Sequence, residues 1–246
     1  MKIECGTHIG AVRKSNQDAC DCGVLSENAV WAIVCDGMGG ANGGNIASVL
    51  ALETARTYIS EKYEDSMSAE DIEKMLTEAV DTANEVVYNK AGEDEELLGM
   101  GTTVVIMMVV NENLHVVHVG DSRAYLKTQD KIVRVTKDHS FVQNLVDFGQ
   151  ITEIEAKTHP NRNIITRVVG VHESVICDYV SIPMQPGETA LACSDGLTSY
   201  VSDELLEEYI NGYTGKELID LLIQYAIDAG GSDNITVATI HRREEQ

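Results

Sequence analysis

The sequence predicts an α+β fold, and three observations carry that expectation. Strand-like and helical segments fall in separate blocks rather than in regular alternation. Strand-like runs crowd into residues 102–136 with short connections between them. Helical stripes lie outside that block, on residues 45–63, 68–87 and 214–230. The chain has 246 residues, 43% of them hydrophobic, with no repeat and no low-complexity linker, so one domain over 1–246 is expected.

In chain order, the apolar run 30–35 reads as a strand entering Asp36-Gly37. A glycine-rich turn over 37–44 leads into a helix from about 45 to 63. Ser68 with Asp71 forms a capping box. Ile72, Met75, Leu76, Ala79, Ala83, Val86 and Val87 then repeat at helical spacing. The acidic stretch 92–96 reads as a solvated loop. Strands follow at 102–110, 114–120, 123–126 and 132–136, the first two joined antiparallel by a hairpin-sized connection at 111–113.

Residues 138–170 look inserted between the strand at 132–136 and another at 174–182. Ser140 with Gln143 opens one short helix and Thr152 with Glu155 another, which stops before Pro160. Such an insert is either a brace or a mobile lid. A strand at 188–194 runs into Asp195-Gly196. Thr214 with Glu217 reads as a capping box opening a helix that ends at Gly230-Gly231, and a last strand covers 234–240.

Charge narrows the function. With 18 basic against 40 acidic residues the net charge is −22, a poor match for nucleic acid or an anionic membrane. No run of 18 apolar residues exists and the N-terminus has no signal-peptide core, so a cytoplasmic protein is expected. A monomer is expected as well. The six cysteines make no Cys-x-x-Cys pair and read as reduced and structural; Cys20 and Cys22 would share one strand face. His115 and His118 would point to opposite faces of a strand, as core residues.

Asp36, Asp121 and Asp195 each close an apolar run, and Asp233 immediately precedes one. A single such aspartate is usually a turn residue. Four at strand ends suggest convergence, and clustered carboxylates without bases call for metal cations.

Five ordered blocks, 13–18 (Arg13 to Asp18), 36–40, 120–125, 194–197 and 231–236, resemble the signatures of the metal-dependent serine/threonine protein phosphatases, the PPM or type 2C family, in its short bacterial form. The resemblance covers nearly the whole chain. It implies a four-layer α-β-β-α sandwich of two antiparallel sheets flanked by helices, with residues 138–170 as a helical flap. By that resemblance Asp36 would bridge two metals, with the Gly37 carbonyl on one of them. Asp195 and Asp233 would complete the first shell, Asp18 would serve the second, and Asp121 with Asp195 would hold a weaker third ion. Arg13 would bind the substrate phosphate. Two tight Mn²⁺ or Mg²⁺ ions would activate water for attack on phosphoserine or phosphothreonine. The partners would be phosphoproteins, a serine/threonine kinase among them, so that the enzyme opposes such kinases in bacterial signalling.

The sequence departs from the family pattern at Met38, where many relatives carry a proton-donating His, and at Gln17, Ala41 and Asn45. None removes a direct ligand. A catalytically silent phosphoprotein- or kinase-binding regulator is the alternative, but silent relatives usually lose metal aspartates and this chain retains them. Arg123 reads as a structural ion-pair partner, Arg162 and Arg167 as structural or peptide-guiding, and His139 and His159 as capping or hydrogen-bonding residues.

Overall fold

The computed structural model describes residues 1–243, and of residues 40–42 the backbone alone. One sheet has the order β1 (Lys2–His8), β11 (Ile235–His241), β10 (Thr189–Cys193), β7 (Arg123–Lys127), β8 (Ile132–Arg134). The other runs β2 (Asp18–Ser26), β3 (Ala29–Met38), β5 (Val104–Val110), β6 (Asn113–Val119), β9 (Asp178–Pro183), with the short β4 (Gly101–Thr102) also paired to β3. All of these pairings are antiparallel.

The layers follow from the two faces of β3. Val30, Ala32 and Val34 meet Ala124, Ala190, Ala192 and Ala238 of the opposing sheet, where small side chains let the sheets approach. Trp31, Ile33 and Cys35 point the other way, under α1 (Gly40–Lys62) and α2 (Ala69–Gly92). A strand buried on both faces reads as a continuous apolar run, which is why residues 30–35 carry no alternation. The other sheet covers its outer face with α5 (Asp195–Thr198), α6 (Asp203–Gly212) and α7 (Lys216–Asp228), packed on Tyr125, Leu191 and Val237. Helix, sheet, sheet, helix is the order of layers, as expected.

Several boundaries move, each for a local reason. α1 starts at Gly40, inside the expected turn. The glycines there serve close approach: a Cβ on Gly37 would lie 2.0 Å from the Gly44 carbonyl oxygen. The Ser68 capping box forms, and its helix also buries Val80 and Asn84, while Val86 is only partly buried. The acidic stretch is exposed, but Glu95–Leu97 closes a 3₁₀ turn capped by Asp94. The expected strand at 102–110 breaks at Thr103, whose N–H donates to the Asp36 carbonyl at 2.8 Å and whose hydroxyl accepts the Asp36 N–H at 3.0 Å. Asn111 makes the hairpin turn into β6 at φ 53°.

Downstream, the strand expected from 174 begins only at Asp178. Before it, the carbonyls of His172 and Glu173 accept from Asn84 Nδ2 instead of entering a ladder. The Thr214 capping box does not form; Gly215, at φ 62°, is the N-cap of α7, which leaves Thr214 one residue too early. β1, β2, α5 and α6 complete the fold without having been read from the sequence, although Ser202 followed by Asp203 and Glu204 is a helix-start signal. The insert holds α3 (Phe141–Asp147), capped by Ser140, and α4 (Glu153–Thr158), opened by the Thr152–Glu155 capping box. Among the described residues, no helix is long and apolar enough to cross a membrane.

Candidate metal centre

Strand register builds the centre. Asp18 opens β2, Asp36 lies inside β3 rather than at its end, and the two face each other across the antiparallel pair. Like charges directly opposite on neighbouring strands repel. Asp121 follows β6, Asp195 follows β10 and Asp233 precedes β11, which brings all five aspartates to one end of the sandwich. Gly196 lets the Asp195 turn close onto the Asp233 segment: a Cβ there would sit 1.9 Å from the Asn234 carbonyl oxygen.

Each carboxylate is held differently. Asp18 Oδ2 accepts the hydroxyls of Ser194 at 2.8 Å and Thr236 at 2.6 Å, so strands of the opposite sheet fix its position. Burial nevertheless raises it to about 6, with Asp195 and Asp233 adding repulsion. Burial, then the charges of Asp18, Asp195, Asp121 and Asp233, push Asp36 well above the usual carboxylate range. Burial and Asp195 raise Asp121 to about 7; burial and Asp233 raise Asp195 to about 6. Asp121 Oδ1 is buried with no hydrogen-bond partner among the described residues.

Little positive charge answers this cluster. Arg13 Nη2 pairs with Asp233 Oδ2 at 2.7 Å from the rim, its side chain 48% exposed. Arg123 is committed to Asp138, donating from Nε at 3.0 Å and Nη2 at 2.7 Å. It is a structural ion-pair partner, as expected. The loop carrying Arg13 is tied down by Asn234, whose Nδ2 donates to the carbonyls of Ile9 and Ser15 and whose Oδ1 accepts the Gln17 N–H. Ser194, Thr236, Thr103 and Asn234 were not singled out from sequence. The order Ser194-Asp195 and Asp233-Asn234, each polar neighbour beside a ligand candidate, was the available signal. The Ala41 side chain lies outside the described residues, and Met38 and Asn45 are exposed.

Asp121 and Asp195 also line a cleft of about 530 Å³ whose far wall is the insert, including Lys157, Arg162 and Asn163. A second cluster lies against Gly120. His118, His139 and Asp178 bring ligand-type atoms within 4.8 Å of one another, a grouping that three scattered residues do not reveal in sequence. All six cysteines are free thiols, and Cys5, Cys20 and Cys22 pack together against the inter-sheet layer.

The chain matches the protein phosphatase 2C family model over residues 5–223. The chain belongs to the protein phosphatase 2C family. It is 35% identical to the serine/threonine phosphatase stp of Listeria monocytogenes, over 98% of this chain and 96% of that protein. The crystal structure of serine/threonine phosphatase Stp1 from Staphylococcus aureus superposes with a TM-score of 0.90 at 34% identity, covering 97% of this chain and 94% of that one. The catalytic domain of the phosphatase PstP, solved in complex with two manganese ions, superposes with a TM-score of 0.84 at 31% identity, covering 97% and 96%. The protein is therefore a serine/threonine protein phosphatase of the bacterial type, a phosphoric monoester hydrolase.

Carboxylate crowding in this phosphatase has a measurable consequence for the metal-free protein. Folded Asp36 and Asp121 hold protons at a pH where the unfolded chain, with aspartates near 3.9, has released them. The folded state then binds more protons, so stability falls as pH rises. Buried His115, His118 and His139 are held below their usual value and act in the opposite sense, an effect that fades above about pH 6.5 as the unfolded chain's histidines lose their protons. Between roughly pH 7 and 8 the carboxylates dominate, and buried thiols held above their usual value, Cys35 and Cys193 among them, act in the same sense toward the upper end. Chelator-treated protein is expected to melt at a lower temperature at the upper end of that window. Added Mn²⁺ should raise the melting temperature more at the upper end, because ligation needs ionised carboxylates. A metal-free melting temperature that climbs with pH across the window would contradict the crowding.

Proposed function

We propose that this phosphatase hydrolyses phosphoserine and phosphothreonine on proteins, with Mn²⁺ or Mg²⁺ held by the aspartate cluster, and that residues 1–246 act as one domain with 138–170 as its flap. The observation that carries the reading is the cross-strand Asp18–Asp36 pair, two carboxylates set face to face and ringed by three more. An all-oxygen donor set of this kind fits hard divalent cations. The unpartnered buried Oδ1 of Asp121 fits as well. Manganese in the related PstP structure supports the choice of ion.

Asp36, the Gly37 carbonyl, Asp195 and Asp233 would hold one ion, Asp36 and Asp18 a second, and Asp121 with Asp195 a weaker third. When bound, such cations supply a water acidic enough to attack phosphorus near neutral pH and positive charge against the phosphoryl oxygens. The protein's own groups do the rest. Ser194 and Thr236 fix the Asp18 carboxylate, and Thr103 fixes the backbone of Asp36. Arg13, half-exposed at the rim and so able to exchange its Asp233 bond for a phosphate oxygen, holds the substrate. The flap forms the outer wall of the cleft. The partners are phosphoproteins, among them serine/threonine kinases whose action the enzyme reverses.

Phosphothreonine-peptide hydrolysis that stops with chelator and returns with Mn²⁺ is the test. Within it, Arg13→Ala is expected to raise KM roughly tenfold or more with a smaller loss in kcat. Mn²⁺ binding should hold, because Asp233 is released rather than removed. Weakened Mn²⁺ binding with KM unchanged would place Arg13 in the scaffold, and activity indifferent to chelation would overturn the metal reading.

A further inference from the structure

Both roots of the flap meet at one residue, through its main chain and its ring. His139 donates its backbone N–H to the Gly120 carbonyl at 2.8 Å, and Gly120 returns its own N–H to His139 Nδ1 at 3.1 Å. Gly120 is thereby clamped on both of its polar groups, and the next residue is Asp121. On the exit side of the flap, Thr166 donates its N–H to the His139 carbonyl at 2.8 Å. His139 Nε2 faces Asp178 Oδ2 at 3.3 Å, while Asp178 Oδ1 accepts from Arg167 Nη1 at 2.6 Å. The His118 ring stacks on His139 with centroids 4.6 Å apart and planes 18° from parallel, and its Nε2 reaches the Lys137 carbonyl at 2.9 Å.

Proton placement decides what this cluster is for. Burial and the neighbouring His118 hold His139 down to about 4, so the ring is neutral. A neutral imidazole has one N–H and one acceptor. Since Nδ1 accepts from Gly120, the proton sits on Nε2 and its bond runs to Asp178. Arg167 Nη1, 3.1 Å from Nε2, faces another donor there, so its productive bond is the one to Asp178. The same rule disfavours a cation on this cluster: a metal on Nε2 would force the proton onto Nδ1, against the Gly120 N–H. The three residues form a mechanical node instead.

We propose that His139 is a positioning residue that couples placement of the flap to cation affinity at Asp121. The proposal rests on reading Asp121 as a ligand of the weaker ion. One arm, to Gly120, sets the Asp121 turn. The other, through Thr166 and through Asp178 to Arg167, sets where the flap leaves the body. Because coupling between two sites is reciprocal, a cation at Asp121 would order the flap as much as an ordered flap favours the cation.

The test pairs calorimetric Mn²⁺ titration with amide hydrogen exchange of residues 140–166, with and without saturating Mn²⁺. In the wild-type protein, filling the weakest site should slow exchange in the flap. His139→Ala is expected to weaken that site by about tenfold or more, the range for groups that orient metal ligands, and to abolish the exchange response. His139→Asn keeps an acceptor for the Gly120 N–H but falls short of Asp178, so it should restore the affinity without restoring the response. That split separates coupling from plain loss of packing, and His139→Asn keeps the test open if the alanine variant does not fold. Asp121→Asn is the control. If it leaves the weakest site intact, the assignment of Asp121 fails. If it removes that site while the His139 variants bind Mn²⁺ and protect the flap like wild type, the coupling fails.

Discussion

Asp36→Asn is expected to lower turnover of a phosphothreonine peptide by about a thousandfold or more while leaving the protein folded. Asp36 stands at the centre of the charge cluster, feeling Asp18, Asp195, Asp121 and Asp233 together. A neutral amide there weakens every ion the cluster shares, so loss of function exceeds what a single contact would account for. Folding should not suffer. The backbone of Asp36 is held by Thr103 and Thr102, whose bonds the substitution leaves alone. Removing one charge also relieves repulsion in the metal-free state. The measurement is steady-state hydrolysis at saturating Mn²⁺ alongside a thermal melt. Near-wild-type hydrolysis by a folded, metal-saturated variant would sink the assignment of Asp36.

Asp121→Ala should separate two demands of the reaction. Its carboxylate is the private contribution to the proposed weakest site, so the two tighter ions should bind unchanged. Turnover of phosphoserine or phosphothreonine peptides should nevertheless fall by roughly a hundredfold, the scale of a lost proton transfer. A seryl or threonyl oxygen leaves poorly without a proton, and Met38, exposed at the end of β3, has none to give. On the proposed reading, proton delivery would fall to the Asp121 side of the cleft. A nitrophenolate needs no proton to leave, so nitrophenyl phosphate should recover much of the lost rate. Pre-steady-state hydrolysis of both substrates, with Mn²⁺ titrated in parallel, checks this. Equal losses on the two substrates would count against proton delivery, and no loss on either would return Asp121 to the status of a turn residue.

The aspartates that close or open apolar runs were legible because a buried strand ending in a carboxylate is unusual on its own. Asp121, Asp195 and Asp233 each sit at such a junction, and the structure brings them to the same end of the sandwich. The Asp18–Asp36 opposition was not legible. It is a property of register between two strands, one of which gave no alternation signal. Thr103 shows the same limit from the other side: it breaks an otherwise good strand because its polar groups are spent on Asp36. Helical stripes and capping boxes located α2, α3 and α4 well, since caps act within four residues. The Thr214 box failed because Gly215 offered a backbone conformation that starts the helix one residue later. Hydroxyls such as Ser194 and Thr236 join Asp18 across more than 170 residues of chain, a relation that exists only after folding. The His118–His139–Asp178 node is hidden for the same reason.

Anomalous diffraction at the manganese absorption edge, on crystals soaked in Mn²⁺, addresses the metal centre most directly. Assignment of catalysis to the aspartate cluster predicts peaks among Asp18, Asp36, Asp195 and Asp233, a weaker one beside Asp121 that grows with Mn²⁺ concentration, and none at His118, His139 and Asp178. Peaks confined to the histidine cluster, or none among the aspartates in crystals whose dissolved protein still hydrolyses phosphopeptide, would contradict it.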